Sequence, residues 1–196
     1  MGTSVVHRVT ILDASDYAAA IATLKASLPA KGSNFTATQL KAVGGFCIGR
    51  RDRDPADDAD IDSENVTVTP IHEGVHIRAA GSQTREKYIP RHNGIDEVTF
   101  SAYDIEEGVF ELDSTVVDDD GDVQRTATQT DRAILIERDG YVLEGYPKVV
   151  LLITGEPGGF GPGDDAASKY DFTGYICKAT GVPSGQQKFF YQEAGT

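Results

Sequence analysis

Residues 132–154 read RAILIERDGYVLEGYPKVVLLIT, a stretch with three apolar β-type runs. Two of them, RAILIER (132–138) and YVLEGY (141–146), flank Asp139 and Gly140. An Asp-Gly pair between two such runs is a strong signal for a tight β-hairpin. The third run, PKVVLLIT (147–154), predicts a buried strand because its apolar residues are continuous. The stretch therefore predicts consecutive antiparallel strands.

Strand signals also lie on both sides of this stretch, while one segment has helical spacing. The other β-rich runs are residues 5–11, 46–48, 66–70, 74–80, 97–103, 172–180 and 186–192. A helix is predicted from a cap at Asp13 or Ser15 to about Leu28, with Tyr17 and Leu24 on its apolar face. We expect a mainly β single domain over residues 1–196, a sandwich or barrel with one or two flanking α-helices.

A second, short helix is predicted directly after the run at 97–103. Asp104 can cap it, and its apolar residues follow helical spacing, although Gly108 weakens the pattern. The residues expected to pack this helix on the sheet are Ile105, Val109 and Leu112.

The segment RRDRDPADDADIDSEN (50–65) has many charges and a proline but no apolar period. This composition predicts a long exposed acidic loop, and loops of this length usually carry function or mediate contacts. A solvated excursion without a role is the alternative. The charged residues assigned to the contact loop are Arg50, Arg51, Asp52, Arg53, Asp54, Asp57, Asp58, Asp60, Asp62 and Glu64.

The formal net charge of −13 disfavours binding to a nucleic-acid backbone, which depends on Lys and Arg displacing counterions. No apolar run approaches the roughly 18 residues of a membrane span, and no secretory signal is visible, so we expect folding in a cytosol. Cys47 and Cys177 have apolar or β-type neighbours, which favours buried reduced thiols over a disulfide.

One motif could support catalysis. His72, Glu73 and His76 form a formal H-E-x-x-H pattern, which on a helix places two imidazoles one turn apart to bind zinc with the glutamate as base. Pro70 and Gly74 disfavour that helix, and on a strand the histidines would lie about 13 Å apart. A zinc-dependent hydrolase is therefore the alternative to a non-enzymatic protein.

Two other patterns fail where they are most specific. The alternating acids at 58–64 lack the glycine of a calcium loop, because Ser63 stands in its place. The Gly-rich stretch 155–163 lacks the Gly-Lys-Ser/Thr that holds a phosphate. We expect no metal or cofactor.

Three stretches carry a resemblance to a known family. They are YIPRHNGIDEVTFSAYDIEEGVFELDS (88–114), the stretch 132–156, and DDAASKYDFTGYICKATG (164–181) with GQQKFFY (185–191). Together they resemble the major tail tube proteins of long-tailed, siphovirus-like bacteriophages, over the C-terminal half to two-thirds of the chain. The strand-helix segment of residues 1–45 lies outside the resemblance.

The resemblance implies a non-enzymatic virion protein of the tail, made in the host cytoplasm. It implies a tail-tube β-sandwich whose copies form hexameric rings, stacked into a hollow tube through which genome DNA travels without specific binding. The loop at 50–65 would then contact the next ring. Further partners implied are tape-measure, tail-terminator and tail-tip proteins, with no membrane involved.

Overall fold

The computed structural model describes residues 5–30, 32–50, 52–62, 66–70, 74–77, 87–90, 95–103, 115–117, 123–125, 131–139, 142–155, 169–182 and 185–190. Within these ranges the helices are α1 (Tyr17–Ala26) and α2 (Ala37–Lys41). The strands are β1 (Val6–Asp13), β2 (Phe46–Gly49), β3 (Ala59–Ile61), β4 (Thr67–Pro70), β5 (Gly74–Ile77), β6 (Lys87–Pro90), β7 (Ile95–Tyr103), β8 (Thr115–Val117), β9 (Val123–Arg125), β10 (Asp131–Arg138), β11 (Val142–Gly155), β12 (Lys169–Ile176) and β13 (Gln187–Phe190).

Seven strands close into a β-barrel in the order β1, β2, β3, β7, β12, β11 and β10, and β10 pairs again with β1. The pair β2–β3 is parallel and short, with Ile48 opposite Ala59 and Gly49 opposite Asp60. The other pairs of the ring are antiparallel. The predicted fold class, a mainly β sandwich or barrel with flanking helices, is confirmed as a barrel.

Two further strands extend this barrel. β4 pairs with β7 on the same edge as β3, and β13 pairs with β11 on the same edge as β12. The ladder β4–β7 leads to a two-stranded ribbon, β5–β6, in which Gly74 lies opposite Pro90. A second ribbon, β8–β9, pairs Val117 with Val123. Both ribbons form sheets separate from the barrel.

The barrel interior holds one apolar core. Val9 and Ile11 enter it from β1, and the rings of Phe100 and Phe172 stack with centroids 4.8 Å apart. The Tyr146 ring also lies inside. Offset aromatic pairs of this kind add about 0.5–1.5 kcal/mol beyond their buried area.

A second core lies outside the barrel, where α1 and α2 pack on β1, β10 and β11. Leu24 and Leu40 of the helices contact a layer that includes Leu135 and Leu143. Both faces of β10 are therefore buried, which explains why its sequence is apolar at successive positions rather than alternating.

The predicted hairpin at Asp139–Gly140 is confirmed, since Arg138 pairs with Val142 across it. The runs 141–146 and 147–154, predicted as separate strands, form one 14-residue strand, β11. Pro147 lacks an amide hydrogen, and the register of β10 against β11 shifts between Arg132 and Ile134, opposite this proline.

The N-terminal helix is present but shorter than predicted. α1 begins after Asp16, whose side chain makes no capping hydrogen bond, and ends at Ala26. The second helix of the structure, α2, was not predicted; the predicted helix of Ile105, Val109 and Leu112 lies outside the described residues.

Candidate functional site

Arg8 is the centre of a buried ionic cluster under the segment 50–58. Its Nε and Nη2 donate to Asp57 Oδ1 and Oδ2 at 2.6 and 3.1 Å, and Nη2 also donates to Asp54 Oδ2 at 3.1 Å. Nη1 donates to the Phe35 carbonyl at 2.6 Å and to Glu137 Oε2 at 3.1 Å. A guanidinium has five N–H donors, so this cluster can satisfy all of them.

Two of the carboxylates that accept hydrogen bonds from Arg8 also accept hydrogen bonds from backbone amides. Asp54 accepts from the amides of Ala37 and Ala56 at 2.7 and 3.1 Å, so it joins the start of α2 to its own loop. Glu137 Oε1 accepts from the Phe35 amide at 2.7 Å. The cluster therefore ties four parts of the chain together: β1, β10, the α2 entry and the segment 50–58.

Burial and charge act in opposite directions on the pKa values of this cluster. Burial raises the pKa of Asp57, although the hydrogen bond and charge of Arg8 oppose that rise. Burial also favours a higher pKa for Asp54, but the amides of Ala37 and Ala56 together with Arg8 outweigh it, so its pKa is lowered. Burial disfavours the charged guanidinium, yet its carboxylate partners raise the pKa of Arg8.

The same segment completes the barrel next to the cluster. Asp58 Oδ2 accepts from the Cys47 amide at 2.8 Å, and Asp58 Oδ1 lies 2.6 Å from Lys41 Nζ. Gly49 of β2 leaves room for the Asp57 carboxylate, because a Cβ at this position would overlap it. These contacts place β3 beside β2 at the parallel pair that closes the ring.

The prediction that residues 50–65 form an exposed loop is therefore wrong for much of the segment. Asp57, Ala59 and Ile61 are buried, and β3 is a barrel strand. Asp62 accepts from the Tyr103 hydroxyl at 3.3 Å. The sequence did not predict β3 because this strand has only two apolar residues, Ala59 and Ile61, with the charged Asp60 between them.

A smaller part of the segment remains available to solvent. The Arg50 and Arg53 side chains are 29% and 40% exposed, and Asp52 is 68% exposed. Asp54 and Asp60 are half-buried, while Arg51 and Glu64 lie outside the described residues. The outward side of this stretch thus carries both signs of charge, on Asp52 and Arg53, whereas Asp57 points into the fold.

The H-E-x-x-H motif is not on a helix where the structure describes it. His76 belongs to the strand β5, and His72 and Glu73 lie outside the described residues. Zinc binding by this motif needs a helix to bring the two imidazoles together, so the zinc-hydrolase alternative has no structural support. In the described ranges, no group of three His, Cys, Asp or Glu side chains could hold a metal ion.

Open strand edges are the second candidate surface. Each strand of the ribbons β5–β6 and β8–β9 pairs with one partner among the described residues, so each ribbon has two unpaired edges. A row of unpaired backbone groups is a template for pairing with another chain.

Within the described ranges, α1 and α2 pack on the side of the barrel formed by β1, β10 and β11, and neither helix packs on β4, β7 and β12. Here Thr67 pairs with Thr99 and Thr99 with Thr173, and in the next row Glu97 pairs with Tyr175. Tyr175 is 45% exposed. This face is rich in threonine, in a chain that is otherwise strongly charged.

Two features of the site had local signals that the sequence analysis did not use. Thr36 and Gln39 form a reciprocal capping box, and the pattern Thr-x-x-Gln before an apolar residue predicts a helix start. Arg8 stands in the otherwise mostly apolar run of β1, and a charge within a buried strand requires a partner of opposite sign.

Comparisons with known proteins give a distant likeness to solved structures. No family model matches the chain, and no curated protein matches it. The fold is similar to a chain in the cryo-EM structure of the anti-feeding prophage baseplate, solved with 6-fold symmetry, with a TM-score of 0.46 and 8% sequence identity over 98% of this chain and 97% of that chain. Separately, neither helix of the described ranges is long and apolar enough to cross a membrane.

Proposed function

We propose that this chain is a non-enzymatic structural subunit of a phage-type tail that assembles with copies of itself. In the finer form of the proposal, its copies build hexameric rings that stack into the tail tube, and genome DNA passes through the lumen without specific binding. Tape-measure, tail-terminator and tail-tip proteins would be its partners in the virion. The resemblance of residues 88–114, 132–156 and 164–191 to tail tube proteins supports this direction.

The observation that carries the proposal is the pair of two-stranded ribbons outside the barrel. An isolated two-stranded ribbon is marginally stable at best in water, and three or more strands are needed for independent stability. The ribbons β5–β6 and β8–β9 each have two edges unpaired among the described residues. Strands added from neighbouring copies would satisfy those edges, as in other cases of β-strand addition.

The barrel supports this use of the ribbons because it is stabilised independently of them. Its ring of strands is closed, and its two apolar cores draw on β1, β10, β11 and the helices. The closed ring of seven strands has no edge strand, although β4 and β13, which extend it, each pair with one strand among the described residues. Assembly through the ribbons would therefore leave the subunit fold unchanged.

A proline scan along β5 tests the proposal. Backbone amides of consecutive residues in an antiparallel strand point to opposite edges of that strand. Of Val75→Pro and His76→Pro, one therefore removes a hydrogen-bond donor from the open edge of β5, and the other removes a donor from the edge that faces β6. Because β5 lies outside the barrel, we expect both variants to keep the wild-type thermal unfolding of the barrel and to lose assembly seen by electron microscopy.

Val75→Ala and His76→Ala are the matched controls, because they keep the backbone amide. We expect both to assemble as the wild type does. Proline variants that form the same rings or tubes as the wild type would contradict assembly through this ribbon.

A further inference from the structure

The position of Pro90 determines which backbone amides of the ribbon β5–β6 point outward. The register pairs Gly74 with Pro90, Val75 with Ile89, His76 with Tyr88 and Ile77 with Lys87. In an antiparallel ladder, residue pairs that exchange both backbone hydrogen bonds alternate with pairs that exchange none. Proline has no amide hydrogen, so the Gly74–Pro90 pair exchanges none, and the next pair, Val75 and Ile89, exchanges both.

This alternation gives the two open edges of the ribbon different hydrogen-bonding capacity. On β5, the amides of Gly74 and His76 point away from β6, toward the open edge. On β6, the corresponding positions are Tyr88 and Pro90, and only Tyr88 has an amide hydrogen. Within the described residues of the ribbon, the open edge of β5 therefore offers two donors and that of β6 offers one.

The residue types of the two strands differ in the same direction. Lysine and proline on an edge strand are devices by which natural proteins prevent pairing with another chain. Strand β6 contains both, at Lys87 and Pro90. Strand β5, with the sequence GVHI, contains no proline and no Asp, Glu, Lys or Arg. The composition thus protects the edge of β6 and leaves the edge of β5 unprotected.

We propose that β5 is the docking edge of this ribbon, and that a strand of a second copy adds to it while the open edge of β6 stays unpaired. The inference rests on the proposed assembly through the ribbons and assigns the edge that assembly uses. Strand addition depends on main-chain hydrogen bonds along the accepting edge, which the outward amides of Gly74 and His76 supply.

The second copy brings open edges of its own, on β5 and on the ribbon β8–β9. Its β6 edge is interrupted by Pro90 in the same way as that of the first copy. Successive copies therefore do not join β5 to β6 in a repeating sheet, and the strand that adds to β5 comes from another part of the second copy.

Two single proline substitutions separate the edges. His76→Pro removes an outward amide of β5, Tyr88→Pro removes the outward amide of β6, and neither amide bonds across the ribbon. The two residues lie opposite each other, so both prolines disturb the ribbon at the same place. We expect Tyr88→Pro to assemble at close to the wild-type concentration. His76→Pro should stay unassembled in electron micrographs up to at least about tenfold that concentration, because a carbonyl of the added strand loses its donor.

His76→Ala and Tyr88→Ala retain the amide and control for loss of the side chains, and we expect both to assemble as the wild type does. A defect in Tyr88→Pro equal to or larger than that in His76→Pro would overturn the assignment of β5 and leave the proposed function standing. Assembly of both proline variants at the wild-type concentration would also overturn it, because no edge of the ribbon would then be needed. Wild type that stays monomeric at every concentration would contradict the proposed function itself.

Discussion

Arg8 and Asp57 form a bidentate ion pair in which neither side chain is accessible to solvent. The two residues are 49 positions apart in the sequence, so the pair fixes the segment 50–58 onto β1. A segment whose composition predicts a solvated loop is thereby part of the barrel closure. Among the described residues of this segment, Asp52, Arg53, Pro55 and Ala56 remain exposed.

Replacing Asp57 should strongly destabilise the fold. Asp57→Asn removes one of the negative charges that compensate the buried guanidinium of Arg8. Breaking a buried ion pair by removing one partner lowers the free energy of unfolding by about 3–5 kcal/mol. Urea unfolding followed by circular dichroism measures the change. Asp52→Asn is the control: its side chain is 68% exposed, and we expect a change below about 0.5 kcal/mol. Equal midpoints for the two variants would show that the cluster contributes nothing.

Deleting residues 54–62 should abolish the folded barrel. The deletion removes β3, which bridges β2 and β7, together with two carboxylates that bind Arg8. An exposed contact loop would instead tolerate its removal. Loss of cooperative thermal unfolding is the expected result. A deleted chain that unfolds with the wild-type transition would restore the loop interpretation.

His7 should make stability depend on pH in a defined window. The unfolded chain binds a proton near the ordinary pKa of 6.5, whereas the folded chain does so only near about 4. Between these values the unfolded state binds more protons, so the free energy of unfolding falls as pH falls from about 6.5 to about 4, by about 3 kcal/mol. Above this window His7 adds no pH dependence. Urea unfolding of wild type and His7→Gln across the window should give a steeper loss for the wild type, and parallel curves would contradict the assignment.

The two cysteines should differ in reactivity. Both thiols are free, Cys47 is fully buried and Cys177 is only partly buried. Burial raises the pKa of the Cys47 thiol to about 12, although the Arg8 charge opposes the rise. Since the thiolate is the reactive form, a thiol reagent should modify one thiol per native chain near about pH 8. Cys177→Ala should then show none until the protein is unfolded; rapid labelling of that variant would mean that the second core is open.

Local patterns predicted most strands, because a hairpin signal such as Asp139–Gly140 depends on neighbouring residues. They did not predict the closure of the barrel, which depends on two residue pairs between β2 and β3. The pairing of Arg8 with Glu137, 129 positions apart, also leaves no periodic signal. Of the candidate site, the sequence indicated which segment is charged, but not which of its charges point inward.

Hydrogen exchange of the ribbon amides tests the central claim of assembly through open strand edges most directly. The measurement compares β5 and β6, at Gly74–Ile77 and Lys87–Pro90, in dilute monomer and in concentrated, assembled protein. We predict fast exchange in the monomer, because a two-stranded ribbon is marginal in water, and strong protection after assembly. The barrel amides of β1 and β10 should be protected in both states. Ribbon amides as protected in the monomer as those of the barrel, or still unprotected in assembled particles, would contradict the claim.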